Sequence, residues 1–127
     1  MIPIRLVGGL PYITIRISHA GKSLDLANTL LDTGSATTLL SIDRTNEIEF
    51  RGNPEDYFRE IFGVGGSESV ICSRIDKLEI GEITADNVAV DLGGMDYGIP
   101  LDAIVGADFL HSINAVIDFA SLTLRQK

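Results

Sequence analysis

Asp32 stands where a carboxylate could do acid–base chemistry. Leu30 and Leu31 run into it, a Thr33-Gly34-Ser35 turn comes next, and Thr37-Thr38-Leu39-Leu40 resumes a strand-like pattern. Apolar β-structure on both sides would hold the carboxylate at a rigid, partly dry position. Thr33 and Ser35 put hydroxyls beside it, and Gly34 lets another backbone or a ligand approach closely. A carboxylate fixed in this way is a candidate proton donor or acceptor. An aspartate that merely ends a strand is also an ordinary turn residue, so the weight rests on the whole sextet and on the rest of the chain.

Two further segments bear on that site. Ala103-Ile104-Val105-Gly106-Ala107-Asp108 echoes the first motif: each is an apolar run that reaches a glycine turn, and the stretch after each could cross beside the other. Phe62-Gly63-Val64-Gly65-Gly66-Ser67 is rich in glycine and reads as a turn. Other chemistry-bearing residues offer less. Asp108 is placed to cap a helical turn beginning near Phe109. His19 and His111 read as surface histidines, and no His, Cys, Asp or Glu spacing gives the three or four convergent ligands of a metal site. Cys72 lies in an apolar strand as a small buried residue, with no partner histidine. Asp96-Tyr97 sits in a glycine-rich loop that either lines a pocket or is simply a loop.

The elements that must position these residues are mostly strands. Over 12–18, Ile13, Ile15 and Ile17 alternate with Tyr12, Thr14 and Arg16, the pattern of a half-buried strand. His19-Ala20-Gly21-Lys22 reads as a hairpin turn, and 23–31 returns to deliver Asp32. A helical turn is expected over 41–46 with Ser41 as N-cap, and a loop over 52–56. Further strands are expected over 57–62, 68–80 and 83–92, the last with Val88, Val90 and Leu92 on one face. A loop over 93–100 leads to an apolar run at 102–106, a short helix at 107–112, and a closing hairpin of 113–119 with 122–124.

Composition sets the bounds. The chain has 127 residues, 45% of them hydrophobic, which is enough for one domain, 1–127, with its own core. Thirteen glycines, four prolines and many Val and Ile suit short strands joined by turns. The formal net charge is −8 with no cluster of basic residues, so neither nucleic acid nor an anionic membrane surface is an expected partner. No apolar run approaches the roughly 20 residues of a membrane span. Residues 1–9 carry one cation and no long apolar core, a poor signal peptide. Cys72 is the sole cysteine, which suits a cytoplasmic protein.

Three landmarks occur in order: Leu31-Asp32-Thr33-Gly34-Ser35, Phe62-Gly63-Val64-Gly65-Gly66-Ser67, and Ile104-Val105-Gly106-Ala107-Asp108-Phe109-Leu110. On these the chain resembles the retropepsin-like, single-domain aspartic peptidases of bacteria, from about Val7 to Leu124. The resemblance implies an all-β fold, a closed β-barrel with a ψ-loop and one short helix near the C-terminus. It implies Asp32 as the catalytic residue, supported by Thr33, Gly34 and Ser35. It also implies a substrate-binding flap at Gly63, Val64, Gly65 and Gly66, and a ψ-loop at Ile104, Val105 and Gly106. No cofactor is implied.

The resemblance further implies a homodimer acting on peptide or protein substrates. One Asp-Thr-Gly is present, and neither Asp108 nor Asp118 is followed by Thr-Gly or Ser-Gly, so the second carboxylate would come from a second copy across a two-fold axis. Two carboxylates about 3 Å apart share one proton, leaving one as base and the other as acid. Thr33 would lock the two loops together, and a Ser35 hydroxyl hydrogen bond to Asp32 would favour an acidic optimum. In retroviral relatives the terminal strands interleave to form the dimer sheet, whereas the termini here are short and charged. Two other readings compete: the same fold as a catalytically weak peptide-binding or dimerisation module, and an unrelated small-molecule-binding barrel.

Overall fold

The structure is a computed structural model that describes residues 1–63 and 66–127. Eleven strands among the described residues are β1 (Ile2–Pro3), β2 (Arg5–Val7), β3 (Leu10–His19), β4 (Lys22–Leu31), β5 (Leu39–Ser41), β6 (Tyr57–Gly63), β7 (Gly66–Ile80), β8 (Ile83–Gly93), β9 (Ala103–Val105), β10 (Ala115–Asp118) and β11 (Thr123–Gln126). Two short α-helices join them, α1 (Ile42–Thr45) and α2 (Ala107–Ser112). The fold is all-β, as expected. No helix among the described residues is long and apolar enough to cross a membrane.

One sheet runs β2-β3-β4-β9-β5-β8-β7-β6, and β3 also pairs with β7 through Arg16↔Glu79, Ile17↔Leu78 and Ser18↔Lys77. A smaller sheet runs β1-β11-β10. Alternation decides the core. Ile13, Ile15 and Ile17 of β3 are buried, and they share one cluster with Leu26 of β4 and Ile75, Leu78 and Ile80 of β7. The β3–β4 turn places Ala20 at φ 50° and Gly21 at φ 80°, two successive left-handed positions that match the twist of a tight hairpin.

A bulge in β4 sets the later geometry. Ile13 pairs with Thr29 but Ile15 with Leu26, so Ala27 and Asn28 of β4 together face the single Thr14 of β3. The Asn28 carbonyl at that bulge accepts the Asp102 N–H (2.9 Å), and the Asn28 N–H donates to the Asp102 carboxylate (3.3 Å). Arg44 supplies the countercharge to buried Asp102 at 2.8 Å. Asp102 is thereby tied to β4, and β9 continues as a parallel partner in the register Thr29↔Ala103, Leu30↔Ile104 and Leu31↔Val105.

Several expectations need correction. The N-terminal residues form β1 and β2, which the sequence pattern did not suggest, because two- and three-residue strands are too short to show a period. Ser41 occupies the N-cap position of α1, but its hydroxyl makes no capping bond. Gly106, not Asp108, caps α2. His19 is half-buried against Phe50, ring centroids 4.3 Å apart, rather than a free surface residue. Of the turn expected over 63–67, Gly63 belongs to β6 and Gly66 and Ser67 to β7, and residues 64–65 lie outside the described residues.

Candidate active site

β4 carries Asp32 out of the sheet, and β9 holds it there. The Asp32 N–H donates to the Val105 carbonyl (3.0 Å), one step past the Leu31↔Val105 pair. The chain then turns. Ser35 N–H donates to the Asp32 carbonyl (3.1 Å), and Gly34 N–H donates to Asp32 Oδ1 (3.0 Å). A backbone donor aimed at a carboxylate oxygen fixes the orientation of the side chain. Asp32 itself is half-buried, while Thr33 and Gly34 are exposed.

The 32–38 loop is locked from beneath by the start of α2. The Ala107 N–H donates to the Ser35 carbonyl (2.7 Å). Thr38 Oγ1 accepts from the Gly106 N–H (3.2 Å) and donates to Asp108 Oδ1 (2.8 Å), which also accepts from the Phe109 N–H (2.7 Å). Asp108 thus holds the loop through Thr38 in addition to bonding its own helix. β9 lies between β4 and β5, so the two strands flanking the Asp32 turn clasp it on both sides.

A cleft of about 650 Å³ opens over Asp32. Leu30, Leu39, Ile61, Leu101 and Ile104 give it an apolar floor, and Asp32, Glu68 and Asp96 give it carboxylates. β6 and the start of β7 form one wall through Phe62, Gly66 and Ser67, and the 94–101 loop forms the other through Tyr97 and Ile99. The walls touch where the Tyr97 hydroxyl donates to Glu68 Oε1 (2.9 Å). Burial, with that bond to Glu68, pushes the Tyr97 hydroxyl up to about 12. At the base of the β6–β7 hairpin, Arg59 pairs with the buried Asp91 carboxylate at 2.7 Å.

The sequence signature of the aspartyl protease family matches residues 15–109, from β3 through the Asp32 turn to the first turn of α2. This chain belongs to the aspartyl protease family. Its fold is similar to that of a retropepsin-like aspartic protease from Rickettsia conorii, with a TM-score of 0.69 at 19% identity over 98% of this chain and 97% of that one. It is also similar to the EIAV protease complexed with the inhibitor HBY-793, with a TM-score of 0.64 at 22% identity over 91% of this chain and 98% of that one. A search of curated protein sequences gave no match.

In this member of the aspartyl protease family the motif residues come together only in part. Asp32, Gly34 and Ser35 line the cleft with Gly66 and Ile104. Val105 and Gly106 lie beneath, as the residues that hold the loop. Gly63 pairs with Gly66 across the hairpin, and Val64 and Gly65 lie outside the described residues. Ser35 departs from expectation: its hydroxyl donates to the Thr37 carbonyl (2.7 Å), and the donor on the Asp32 carboxylate is the Gly34 N–H instead. Asp96 and Tyr97 do line the cleft, whereas Tyr57 lines a separate cavity with Arg59, Cys72 and Asp91.

Glu68 is the residue that sequence reasoning missed. Its carboxylate lies against Gly93, where a β-carbon would stand 2.8 Å from Oε1. Nothing in the sequence links Glu68, Gly93 and Tyr97, since they stand on β7, at the end of β8 and on the 94–101 loop, and only the folded chain brings them together. Cys72 is half-buried, and burial raises its thiol pKa, which disfavours a nucleophilic role.

Proposed function

We propose that this chain is an aspartic endopeptidase that hydrolyses peptide bonds as a homodimer, with one Asp32 from each subunit. The observation that carries this reading is the Asp32 carboxylate held by the Gly34 N–H at the floor of an apolar cleft beneath the β6–β7 hairpin. In the dimer the two carboxylates share one proton. The ionised partner takes a proton from water as its oxygen attacks the scissile carbonyl carbon. The protonated partner hydrogen-bonds the carbonyl oxygen, and a proton then passes to the leaving nitrogen as the C–N bond breaks. The apparent pKa values belong to the pair.

The remaining roles come from position. Thr33, exposed beside Asp32, meets its counterpart across the axis and locks the loops. Gly34 leaves room for substrate backbone. Gly63, Val64, Gly65 and Gly66 form a flap that covers bound peptide and excludes water. Ile104, Val105 and Gly106 act as the ψ-loop, and the β3–β7 pairing supports reading the sheet as a closed barrel. One domain, 1–127, in a bacterial cytoplasm is the setting this reading assigns.

The test is cleavage of a peptide library from acidic to neutral pH by wild type and by Asp32→Asn. Cleavage by wild type alone is the expected result. Cleavage by neither protein moves the reading to a catalytically weak peptide-binding or dimerisation module on the same fold.

A further inference from the structure

The cleft over Asp32 carries charge of one sign. Asp32, Glu68 and Asp96 line it, and among the described residues no Lys, Arg or His does. Arg16, Lys22 and Arg44 are paired with carboxylates elsewhere in the fold. Arg59 shares a face of β6 with Ile61, but it is held by Asp91 and lines the separate cavity instead. Neither Glu68 nor Asp96 has an ion-pair partner among the described residues. The bond that Glu68 accepts comes from the Tyr97 hydroxyl, a neutral donor that leaves the charge uncompensated.

Both cleft-wall carboxylates are placed by the fold. Glu68 and Ile61 are cross-strand partners in the β6–β7 hairpin, so a carboxylate and an apolar side chain line the cleft side by side. Gly93 of β8 makes room for the carboxylate: a β-carbon there would stand 2.8 Å from Glu68 Oε1 and 3.2 Å from Val70 Cγ1. On the facing wall, buried Met95 packs with Leu39 and Ile104 in the cluster beneath the cleft, which anchors the loop directly before Asp96. A long apolar stem ending in a cation matches this lining, with the stem along Ile61 and the cation at Glu68. Charge of one sign above an apolar floor also focuses the field and raises the local concentration of a cationic peptide. An acidic side chain in the same place would meet like charge and be rejected.

We infer that the cleft selects peptides with a lysine or arginine close to the apolar residue seated on its floor, and that Glu68 receives the cation while Asp96 adds to the field. The inference rests on the aspartic peptidase reading for the fate of the bound peptide, and it names the substrate class of that site.

The test uses the full chain and a peptide series built on a central leucine–phenylalanine pair, with lysine, norleucine or glutamate placed in turn at each neighbouring position. Cleavage and binding, the latter by fluorescence anisotropy, are measured in parallel. At low salt the best lysine peptide should exceed its norleucine counterpart in kcat/KM at least about tenfold, and the ratio should shrink as salt screens the charges. Glu68→Gln/Asp96→Asn should bring the ratio close to one; the new amide at position 68 still accepts the Tyr97 hydroxyl, so the walls stay joined. Tyr97→Phe keeps the charge and should keep the ratio. Glu82→Gln/Asp86→Asn removes as much charge at the far end of the β7–β8 hairpin and should also keep it. Wild type that cleaves lysine and norleucine peptides equally overturns the inference and leaves the peptidase reading standing. So does a preference that survives in the cleft variant or is lost equally in the remote one. Wild type that cleaves no peptide overturns the peptidase reading, and binding then decides the inference. Tighter binding of the lysine peptide, lost in the cleft variant alone, keeps it, and equal binding overturns it.

Discussion

Gly106 lies so close to Thr37 that a β-carbon on it would stand 2.2 Å from the Thr37 carbonyl oxygen, and 2.7 Å from that of Ser35. Its φ of −96° is open to any residue, so the glycine is there for space and not for backbone freedom. Both obstructing atoms are backbone atoms of the loop that carries Asp32, and they cannot swing aside as a side chain would. Gly106→Ala is therefore predicted to destabilise the protein by about 3 kcal/mol, the upper part of the usual range for overpacking. A fall in melting temperature on the order of 10 °C would be seen by calorimetry. Activity should fall further than stability explains, because the displaced segment is the Asp32 loop. An alanine variant with wild-type melting would contradict this.

Asp32→Asn should abolish cleavage while leaving the fold in place. The amide keeps an oxygen to accept the Gly34 N–H, so the turn retains its internal bond. General acid–base catalysis is worth about 10² to 10⁴ in rate, and this residue supplies both roles in the proposed dimer. The expected loss in kcat/KM is at least about 10³-fold, with melting nearly unchanged. The wild-type profile should be acidic, because a shared proton is needed on one carboxylate of the pair. A rate that climbs steadily through neutral pH would tell against the dyad.

The Tyr97–Glu68 hydrogen bond joins the two walls of the cleft, and its loss should loosen substrate binding more than chemistry. Tyr97→Phe removes the hydroxyl and keeps the ring. A hydrogen bond to a partly solvated carboxylate contributes about 1 kcal/mol, so KM should rise about fivefold with kcat little altered. The link is also visible spectroscopically. The wild-type Tyr97 hydroxyl, pushed up to about 12, should give an ionisation step well above the ordinary tyrosine range in an ultraviolet titration. Glu68→Gln should bring that step to lower pH, with burial still holding it above its ordinary value.

The β10–β11 turn should be sensitive to acid through Asp118. Backbone N–H groups of Ser121 and Ala120 donate to its Oδ1 at 3.2 and 2.8 Å. These bonds, that of Ser121 first, hold its pKa below the ordinary 3.8. A carboxylate with a lowered folded-state pKa contributes stability above its unfolded value, and that contribution is lost as pH falls through the folded one. Asp118→Ala should therefore melt lower than wild type at neutral pH, and the two curves should converge below about pH 4. A gap that stays constant down to strongly acidic pH would show that the charge is not what matters.

The Asp32 sextet, the β3–β4 hairpin and the short helix α2 were legible in the sequence because each is a local device. Ile13, Ile15 and Ile17 alternate, Ala20-Gly21 supplies two left-handed positions, and Gly106 precedes a helical pattern. The hydroxyl of Ser35 was not legible, since its choice of Thr37 over Asp32 depends on a turn geometry that tripeptide patterns leave open. Glu68 was invisible for a different reason. Its partner Tyr97 is 29 residues away, on a loop without any period.

The sequence by itself determined where most of the strands run, which residues of the alternating strands face the core, and which carboxylate sits at the end of an apolar strand. Those are consequences of side-chain alternation and turn chemistry, which act over a few residues. Only the tertiary structure decided that β9 lies between β4 and β5, that Gly106 passes against Thr37, and that Tyr97 closes onto Glu68. It also decided that β11 is paired on both edges, with β1 and with β10. Such relationships depend on non-local pairing and on the bulge at Asn28, where one extra residue on β4 meets Asp102 from 74 positions away and sets the register of β9. No local pattern encodes that distance.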